Sequence, residues 1–313
     1  MNDLRVEYAL AGGERGVAVR DVSFHLSAGR ITGLLGESGC GKSSMALAII
    51  GMLPENAWPS GSVRLDGQEL AGQSERAWRD IRGARIGWIP QEALLNLNPV
   101  LRAETQVAEV VRAHTPGSDC LPRARAALMR VGLGAEAFLA YPHQLSGGER
   151  QKVLIAQAIV CGPRVILADE PTASLDAAGR ADVLGTLARI VNETRAALLL
   201  ISHEPAVLAD YAEQVMVMYA GRIVEEGPSA EVLNAPLHPW SAALMRCQIP
   251  GDTSRAQQPL PAIPGPAPRL LSEACGCAFE PRCSDRIEMC GQRAPLLSGR
   301  EGRRVACFVH GLE

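Results

Sequence analysis

A phosphate-binding loop is the feature of this sequence that most restricts its fold. Residues 36–43 read GESGCGKS and match the whole pattern GxxxxGK(S/T). The apolar segment RITGLLG precedes the loop and SSMALAIIGML follows it, an order that predicts a strand, a tight turn and a helix. In such a turn, successive backbone N–H groups surround a phosphate at the positive end of the helix. The sequence therefore predicts an α/β fold that binds a nucleotide, with a glycine-rich turn that binds nothing as the simpler alternative.

Lysine is rare in this chain, and one of the two lysines lies in the loop. Of the 31 Lys and Arg residues, only Lys42 and Lys152 are lysine. Lys42 would reach the β- and γ-phosphates of ATP as a compact charge, a role that the planar guanidinium of Arg fills poorly. Ser43 would hold Mg²⁺. The predicted ATP-binding residues of the loop are Gly36, Glu37, Ser38, Gly39, Cys40, Gly41, Lys42, Ser43 and Ser44.

Two acidic residues end an apolar run later in the chain. Residues 165–170 read VILADE, which predicts a buried parallel strand with its acids at the carboxyl end, where open α/β sheets place ligands. Asp169 would bind the metal, and Glu170 would polarise the attacking water as general base. A strand that ends in solvated acids is the simpler alternative, and the residues that follow weaken it.

Further motifs follow in a fixed order. Gln91 comes directly after RIGWIP, residues 145–149 read LSGGE, residues 174–176 read SLD, and His203 lies beyond the strand pattern AALLLIS. Together with the loop and the acidic strand, this order resembles the nucleotide-binding subunit of an ATP-binding cassette (ABC) transporter over nearly the whole chain. The resemblance implies a P-loop NTPase core of the RecA type, an N-terminal antiparallel β-subdomain and a helical subdomain.

The resemblance also implies roles for individual residues. Gln91 would contact Mg²⁺ or the attacking water, His203 would orient Glu170 and the γ-phosphate, and Asp176 would belong to the D-loop. Tyr8 occupies the place of the aromatic residue that stacks on adenine, although packing within the β-subdomain explains it equally well.

The segment LSGGE corresponds to the family's signature, which completes the ATP site of a partner cassette. Ser146, Gly147 and Gly148 begin a predicted helix and would present free N–H groups to the γ-phosphate of the partner's ATP. We therefore expect a monomer to hydrolyse ATP slowly. Glu149 stands where the family often has Gln, and a carboxylate beside a triphosphate is unfavourable unless it points away.

The chain divides into three predicted regions. They are a nucleotide-binding domain at 1–240, with its helical subdomain at about 92–160, a proline-rich linker at 241–272 and a cysteine-rich tail at 273–313. NAPLHPWSAALM resembles the "HPY" segment of ATPases from oligopeptide, dipeptide and nickel importers. Within the helical subdomain, Leu94, Leu95, Leu97 and Leu101 either receive a coupling helix of the membrane subunit or belong to the core.

Five of the nine cysteines lie in the tail. The gaps between Cys277, Cys283, Cys290 and Cys307 fit no zinc-finger spacing, whose close pairs lie two to four residues apart. They resemble the tail of peptide-importer ATPases, and this resemblance implies four thiolate ligands of a [4Fe-4S] cluster. Zinc, and free or oxidised thiols, remain alternatives. Cys275 is the additional cysteine.

Charge and hydropathy limit the partners. The net charge of −3 favours no nucleic-acid partner, and no apolar run exceeds the six residues of 196–201, against the ~20 that span a bilayer. We expect a peripheral protein at the cytoplasmic face of the plasma (inner) membrane. The resemblance implies as partners two transmembrane permease subunits, an extracytoplasmic solute-binding protein and a second ABC ATPase, for which a different chain is favoured. A non-transport ABC ATPase that acts on ribosomes or DNA, and an ATP-binding regulator with little turnover, are the alternatives.

Overall fold

Two compact units make up the chain. The computed structural model describes residues 1–10, 12–115, 117, 119–247, 262–266, 268, 275–300 and 302–311. The first unit contains Met1–His25, Gly33–Ala71 and Ser202–Glu313, and the second contains Leu26–Thr32 and Gly72–Ile201. Each unit is therefore assembled from segments that are distant in the sequence.

Strands and helices alternate along much of the chain. The strands are β1 Asn2–Ala9, β2 Arg15–Val22, β3 Ile31–Leu35, β4 Ala57–Ser62, β5 Arg64–Leu65, β6 Gln68–Glu69, β7 Ile86–Ile89, β8 Val165–Asp169, β9 Ala197–Ser202, β10 Gln214–Tyr219, β11 Arg222–Pro228, β12 Ser298–Arg300 and β13 Arg303–Val305. The helices are α1 Lys42–Ile49, α2 Glu75–Ile81, α3 Ala93–Asn96, α4 Ala103–His114, α5 Cys120–Arg130, α6 Ala135–Phe138, α7 Gly147–Ile159, α8 Ala177–Thr194, α9 Pro205–Tyr211, α10 Ser229–Asn234, α11 Pro239–Arg246 and α12 Glu288–Gln292.

An antiparallel sheet opens the first unit. Its strand order is β2-β1-β4, and β5 and β6 form a separate antiparallel pair. Leu4 and Val6 of β1 are buried, whereas Asp3 is exposed and Arg5 half-buried, because successive side chains of a strand point to opposite faces. This arrangement confirms the predicted N-terminal antiparallel β-subdomain.

A second group of paired strands in the first unit carries the tail. Strand β10 lies between β3 and β11, and β11 pairs antiparallel with both β10 and the tail strand β13. Strand β12 completes the edge beside β13. The tail strands were not predicted, because strands of three residues are too short for an alternating pattern to be detected.

Three parallel strands lie side by side in the second unit, in the order β7-β8-β9. Ile166, Leu167 and Ala168 of β8 are buried, and so is every residue of β9, as in parallel strands that are covered on both faces. Helices α3 to α7 lie between β7 and β8, in the segment predicted as the helical subdomain. Helices α4 and α5 pack against each other and against α7.

Helix α11 runs across the predicted domain boundary at residue 240. The nucleotide-binding domain was predicted to end at residue 240, but α11 continues to Arg246 and buries Trp240 and Ala243. The physical reason is that apolar residues three apart bring one face of a helix onto the core, which composition alone does not reveal. Residues 248–261, 267 and 269–272 of the predicted linker, and residues 273–274 of the predicted tail, lie outside the described residues.

Candidate active site

The predicted phosphate loop joins β3 to α1. All five residues of β3 are buried, and Gly41, with a φ of 110°, precedes the first turn of α1. The Lys42 side chain is buried, and its ammonium donates to the carbonyl oxygens of Gly36 and Glu37, at 2.9 Å each. The lysine charge is therefore held over the loop itself, at the positive end of the helix.

At two glycines of the loop, neighbouring backbone lies so close that a side chain would not fit. A Cβ at Gly41 would lie 2.4 Å from the carbonyl oxygen of Ala18, and a Cβ at Gly36 would lie 2.8 Å from that of Met218. Gly41 also adopts a left-handed φ, which residues with a side chain disfavour. The amide N–H of Gly221 donates to the Cys40 carbonyl at 3.0 Å. The loop is thus packed between the N-terminal sheet and the turn after β10.

Tyr8 lies beside the end of the loop. Its hydroxyl donates to Oγ of Ser44 at 3.0 Å, and its ring is half-buried on β1. The hydrogen bond joins the β-subdomain to the first turn of α1. Stacking of Tyr8 on adenine stays a prediction.

In the second unit, the structure brings Gln91 and Glu170 together. Nε2 of Gln91 donates to Oε2 of Glu170 at 3.2 Å, although the two residues are far apart in the sequence. Asp169, the last residue of β8, is buried, and Glu170 follows it with a left-handed φ of 46°. The Glu170 N–H donates to the Ile201 carbonyl at 3.0 Å. The predicted base therefore sits on a strained turn that is fixed at both backbone and side chain.

His203 comes directly after β9 in the sequence and belongs to the first unit. Its side chain is exposed, and the turn is tied by a hydrogen bond from the Glu204 N–H to Oγ of Ser202 at 3.0 Å. The role of His203 in orienting Glu170 and the γ-phosphate stays a prediction.

The signature segment begins α7 with a reciprocal cap. Ser146 Oγ accepts from the Glu149 N–H at 3.3 Å, and Oε2 of Glu149 accepts from the Ser146 N–H at 2.8 Å. The hydrogen bond from the Ser146 backbone holds the pKa of Glu149 below its usual range. The carboxylate is therefore bound back against its own helix, which the Ser-x-x-Glu spacing indicates but the sequence analysis missed.

The D-loop supports the signature from beside it. Asp176 Oδ1 accepts from the Gly179 N–H at 2.8 Å, so this residue caps α8, a role that was not predicted. A Cβ at Gly147 would lie 3.2 Å from Cδ2 of Leu175. The close contact explains why a glycine suits the first turn of α7.

Comparison with known proteins decides the family. The chain is 37% identical over 312 residues to the oligopeptide transport ATP-binding protein OppD of Salmonella typhimurium strain LT2, an alignment that covers 98% of this chain and 92% of the relative. The profile of the ABC transporter family matches residues 19–173. The chain belongs to the ABC transporter family. It is an ATPase cassette of the P-loop NTPase fold, as the ordered motifs predicted.

Two further ABC transporter relatives extend the comparison. The probable D,D-dipeptide transport ATP-binding protein DdpD of Escherichia coli strain K12 is 38% identical over 93% of this chain and 90% of its own length. The dimeric post-hydrolysis state of the cassette MJ0796, bound to ADP and Pi, has a TM-score of 0.64 and 26% identity, and covers 72% of this chain and 98% of that one. Membership of the ABC transporter family implies a membrane permease as partner and the pairing of two cassettes.

A second profile, that of the C-terminal region of oligopeptide and dipeptide transporters, matches residues 224–290 of this ABC ATPase. In this region His238 is buried and its Nδ1 accepts from the Trp240 N–H at 3.0 Å. Glu225, also fully buried, accepts from the N–H groups of Leu237 and His238 and from Arg303 Nη2. The buried network joins the cassette to its tail strand.

The four predicted ligand cysteines of the tail line one small cavity, together with Phe279 and His238, whereas Cys275 does not. Burial raises the pKa of the Cys277 thiol, and the thiols of Cys290, Cys283 and Cys307 raise it further, so the four lie near one another. Among the described residues, however, no three His, Cys, Asp or Glu side chains converge closely enough to hold one metal ion.

In the described part of this ABC ATPase, no helix is long and apolar enough to cross a membrane.

Proposed function

We propose that this ABC ATPase drives a peptide importer. The observation that carries the proposal is the match of residues 224–290 to the C-terminal region of oligopeptide and dipeptide transporters, in a chain whose residues 19–173 match the ABC transporter family. OppD and DdpD, with 37% and 38% identity, carry peptide and D,D-dipeptide transport in their names. Selectivity for a particular cargo lies outside this chain, because its motifs bind nucleotide.

The chemistry follows from the two groups of residues. The loop of Gly36 to Ser44 and the Lys42 ammonium bind the triphosphate, and Glu170 takes the proton of the attacking water. Gln91, which holds Glu170 by a hydrogen bond at 3.2 Å, orients this base, and His203 orients the γ-phosphate. Because Gln91 begins the helical subdomain, it also links the base to the part of the chain proposed to face the membrane subunits.

Ser43, Gln91 and Asp169 are the residues we assign to Mg²⁺. Hydroxyl, amide and carboxylate oxygens are the donors that this ion prefers, so the residue types fit. When bound, the ion would neutralise charge on the β- and γ-phosphates. The signature residues Ser146, Gly147, Gly148 and Glu149 complete the partner's ATP site, and Asp176 supports them by capping α8.

Exposed apolar side chains support contact with a permease. Leu94, Leu95 and Val100, on and after α3, leave 59%, 78% and 75% of their surface exposed, whereas Leu97 is buried in the core. Leu97 therefore belongs to the core, whereas the exposed Leu94, Leu95 and Val100 are suited to contact with a coupling helix of the permease. We place the chain at the cytoplasmic face of the inner membrane, with two permease subunits, a second and different ATPase chain, and indirectly a solute-binding protein.

Two measurements test the motor assignment. A tagged chain, isolated from gently solubilised native membranes, should bring down two multispanning proteins and a second cassette ATPase, identified by mass spectrometry. Ribosomal or DNA-associated partners without a membrane protein would overturn the importer.

In the isolated complex, Glu170→Gln should lower ATP turnover by about 10²- to 10⁴-fold, because the general base is lost, while ATP stays bound. Glu109→Gln, which removes an exposed carboxylate from α4, is the matched control and should leave turnover unchanged. Unchanged turnover in Glu170→Gln would favour a regulator with little catalysis.

We further propose that Cys277, Cys283, Cys290 and Cys307 hold a [4Fe-4S] cluster. Two sulfurs on one zinc ion can lie no more than about 4.6 Å apart, since each Zn–S bond is about 2.3 Å. Four thiolates on a cluster bind four different irons and stand farther apart. The shared cavity that the four cysteines line is the observation that supports the proposal. The group would act as a staple for a tail with little core of its own.

The iron proposal has a matched pair of variants. Protein prepared without oxygen should be brown and contain about four irons and four sulfides per chain. Cys283→Ser should lose colour and iron, and Cys275→Ser, at the cysteine outside the cavity, should keep both. A colourless protein with stoichiometric zinc would overturn the assignment.

A further inference from the structure

We propose that Arg282 of the cysteine-rich tail is a positioning residue for the ATP site of the same chain, where it offsets the charge of Glu37 and so tightens ATP binding. The inference rests on the ATP-binding role of the phosphate loop. It depends neither on peptide cargo nor on a cluster in the tail.

The turn after β10 is the bridge between the loop and the tail. Met218 touches the loop closely, since its carbonyl oxygen would lie 2.8 Å from a Cβ at Gly36 and its Cε 3.1 Å from a Cβ at Gly41. The Gly221 N–H donates to the Cys40 carbonyl at 3.0 Å. Between these two contacts lies Tyr219, which is 1% exposed. Any group that fixes Tyr219 therefore acts one residue away from the wall of the phosphate loop.

Arg282 is that group. Its Nη1 donates to the hydroxyl of Tyr219 at 3.3 Å, and its Nε donates to the carbonyl of Pro264 at 2.9 Å. The guanidinium also lies over the rings of Trp240, at 5.7 Å, and Phe279, at 6.0 Å. Both rings pack on Tyr219, with centroids 4.5 Å and 5.4 Å away. The charge is thus held in place from several directions by cation–π and hydrogen-bond contacts.

The charge of Arg282 reaches the loop. Glu37 is half-buried, and burial raises the pKa of its carboxyl, while Arg282 lowers it and does so more strongly than Lys42 of the loop itself. The pKa of Tyr219 is raised first by its burial and also by the charges of Glu37 and Cys277. Glu37, Tyr219, Arg282 and Cys277 therefore share one electrostatic neighbourhood. A carboxylate in the phosphate loop repels a triphosphate, and the positive charge of Arg282 reduces that repulsion.

The tail holds Arg282 through its cysteines. The residue ends a 3₁₀ turn, Glu280–Arg282, between Cys277 and Cys283. The Glu280 N–H donates to the Cys277 carbonyl at 2.9 Å, and the Cys283 N–H donates to the Glu280 carbonyl at 3.2 Å. The turn that carries Arg282 is therefore fixed at both ends by backbone hydrogen bonds to two cysteines that line the cavity.

The test compares ATP affinities of the full chain by titration calorimetry, with Glu170→Gln in every variant to prevent hydrolysis. Arg282→Gln should weaken ATP binding about three- to fivefold, as expected for a partly screened charge pair. Arg282→Lys should recover most of the loss, because it restores the charge. Arg286→Gln is the matched control: this arginine lies in the same tail and pairs with Glu280 at 3.4 Å, and its loss should leave ATP affinity unchanged.

A double-mutant cycle separates charge from packing. In a Glu37→Gln background, Arg282→Gln should have little effect on ATP affinity, since the carboxylate that the guanidinium offsets is gone. An equal loss in both backgrounds, or a lowered melting temperature with unchanged affinity, would assign Arg282 to packing alone and overturn the proposal.

Two further outcomes remain informative. If Arg282→Gln does not fold, Glu37→Gln alone decides, because its ATP affinity must equal or exceed that of the chain with Glu37, and a loss contradicts the proposal. A different outcome is that neither the variants nor the chain with Arg282 and Glu37 intact binds ATP. That outcome would contradict the ATP-binding role on which the proposal rests.

Discussion

Glu149 illustrates what single residues did and did not reveal. The ordered motifs predicted the loop, Gln91, Glu170 and the signature, because phosphate and metal chemistry demand particular side chains at fixed spacing. The hydrogen bond that joins Gln91 to Glu170 could not be predicted, since it depends on how two strands are placed in space. A carboxylate at position 149 was predicted to be unfavourable beside a triphosphate unless it points away, and in the structure it is folded back onto the Ser146 N–H.

We predict that Glu149→Gln raises the ATP affinity of the composite site that this signature completes by about threefold. Gln keeps the capping geometry but removes a negative charge near the partner's γ-phosphate. The measurement is the Michaelis constant for ATP in the isolated complex. Glu149→Ala is the control for the cap: it should cost about 1 kcal/mol of folding stability. A higher Michaelis constant in Glu149→Gln would contradict the prediction.

At the scale of elements, the structure contains the strands and helices that a clear hydrophobic periodicity predicted. The tail strands β12 and β13 show no such periodicity and were not predicted. Strand β13 is defined by its partner: Glu225 pairs with Val305 and Glu226 with Arg304. Such pairing rests on contacts between distant segments, which local pattern cannot indicate. The ion pairs across this ladder show what holds the tail.

Arg303→Gln should destabilise the chain by about 3 kcal/mol, because Glu225 is fully buried and would lose its ion pair, at 3.0 Å. Arg304→Gln provides the comparison, since Arg304 pairs with Glu226 while 41% of its side chain is exposed, and its loss should cost less than about 1 kcal/mol. Urea unfolding measures both. Equal effects of the two substitutions would show that burial of Glu225 does not govern docking of the tail.

Helix α11 makes stability depend on pH through His238. Burial, with the nearby charge of His310, lowers the pKa of His238 from 6.5 to about 4. As pH falls below 6.5, the unfolded chain takes up a proton that the folded protein does not, so stability decreases, on the order of 3 kcal/mol by pH 4.

His238→Asn keeps a capping side chain for α11 and should flatten this decline in stability between pH 6.5 and 4. The change is followed by urea unfolding at several pH values. His143→Asn, at an exposed histidine, should retain the full decline. An unchanged slope in His238→Asn would assign the pH dependence to other groups.

For the molecule as a whole, each unit is built from segments that are distant in the sequence, so the order of motifs does not predict which unit a residue belongs to. The first unit draws on both ends of the chain, so Tyr8, the phosphate loop and the tail belong to one unit, while Asp169 and Glu170 belong to the other. The order of motifs in the sequence could not assign these residues to units. It also left open which leucines after Gln91 face outward, a question that burial of Leu97 and exposure of Leu95 answer.

Leu95→Asp should uncouple the ATPase from transport. A carboxylate at a position that is 78% exposed leaves the fold intact but disfavours an apolar contact with the permease. We expect unchanged ATP turnover of the isolated chain and at least a tenfold loss of co-purifying permease. Met129→Asp, at an exposed residue of α5, is the control and should retain the permease. Retention of the permease by Leu95→Asp would remove this surface from the interface.

The proposed coupling between Arg282 and the phosphate loop has a reciprocal consequence, because energetic coupling between two sites is equal in both directions. If the docked turn between Cys277 and Cys283 tightens ATP binding three- to fivefold, bound ATP stabilises that docked turn by the same factor. Saturating ATP should then slow alkylation of the Cys283 thiol to a similar extent. The reactivity of this tail cysteine would then report the ATP concentration, and bound ATP would protect the tail from modification.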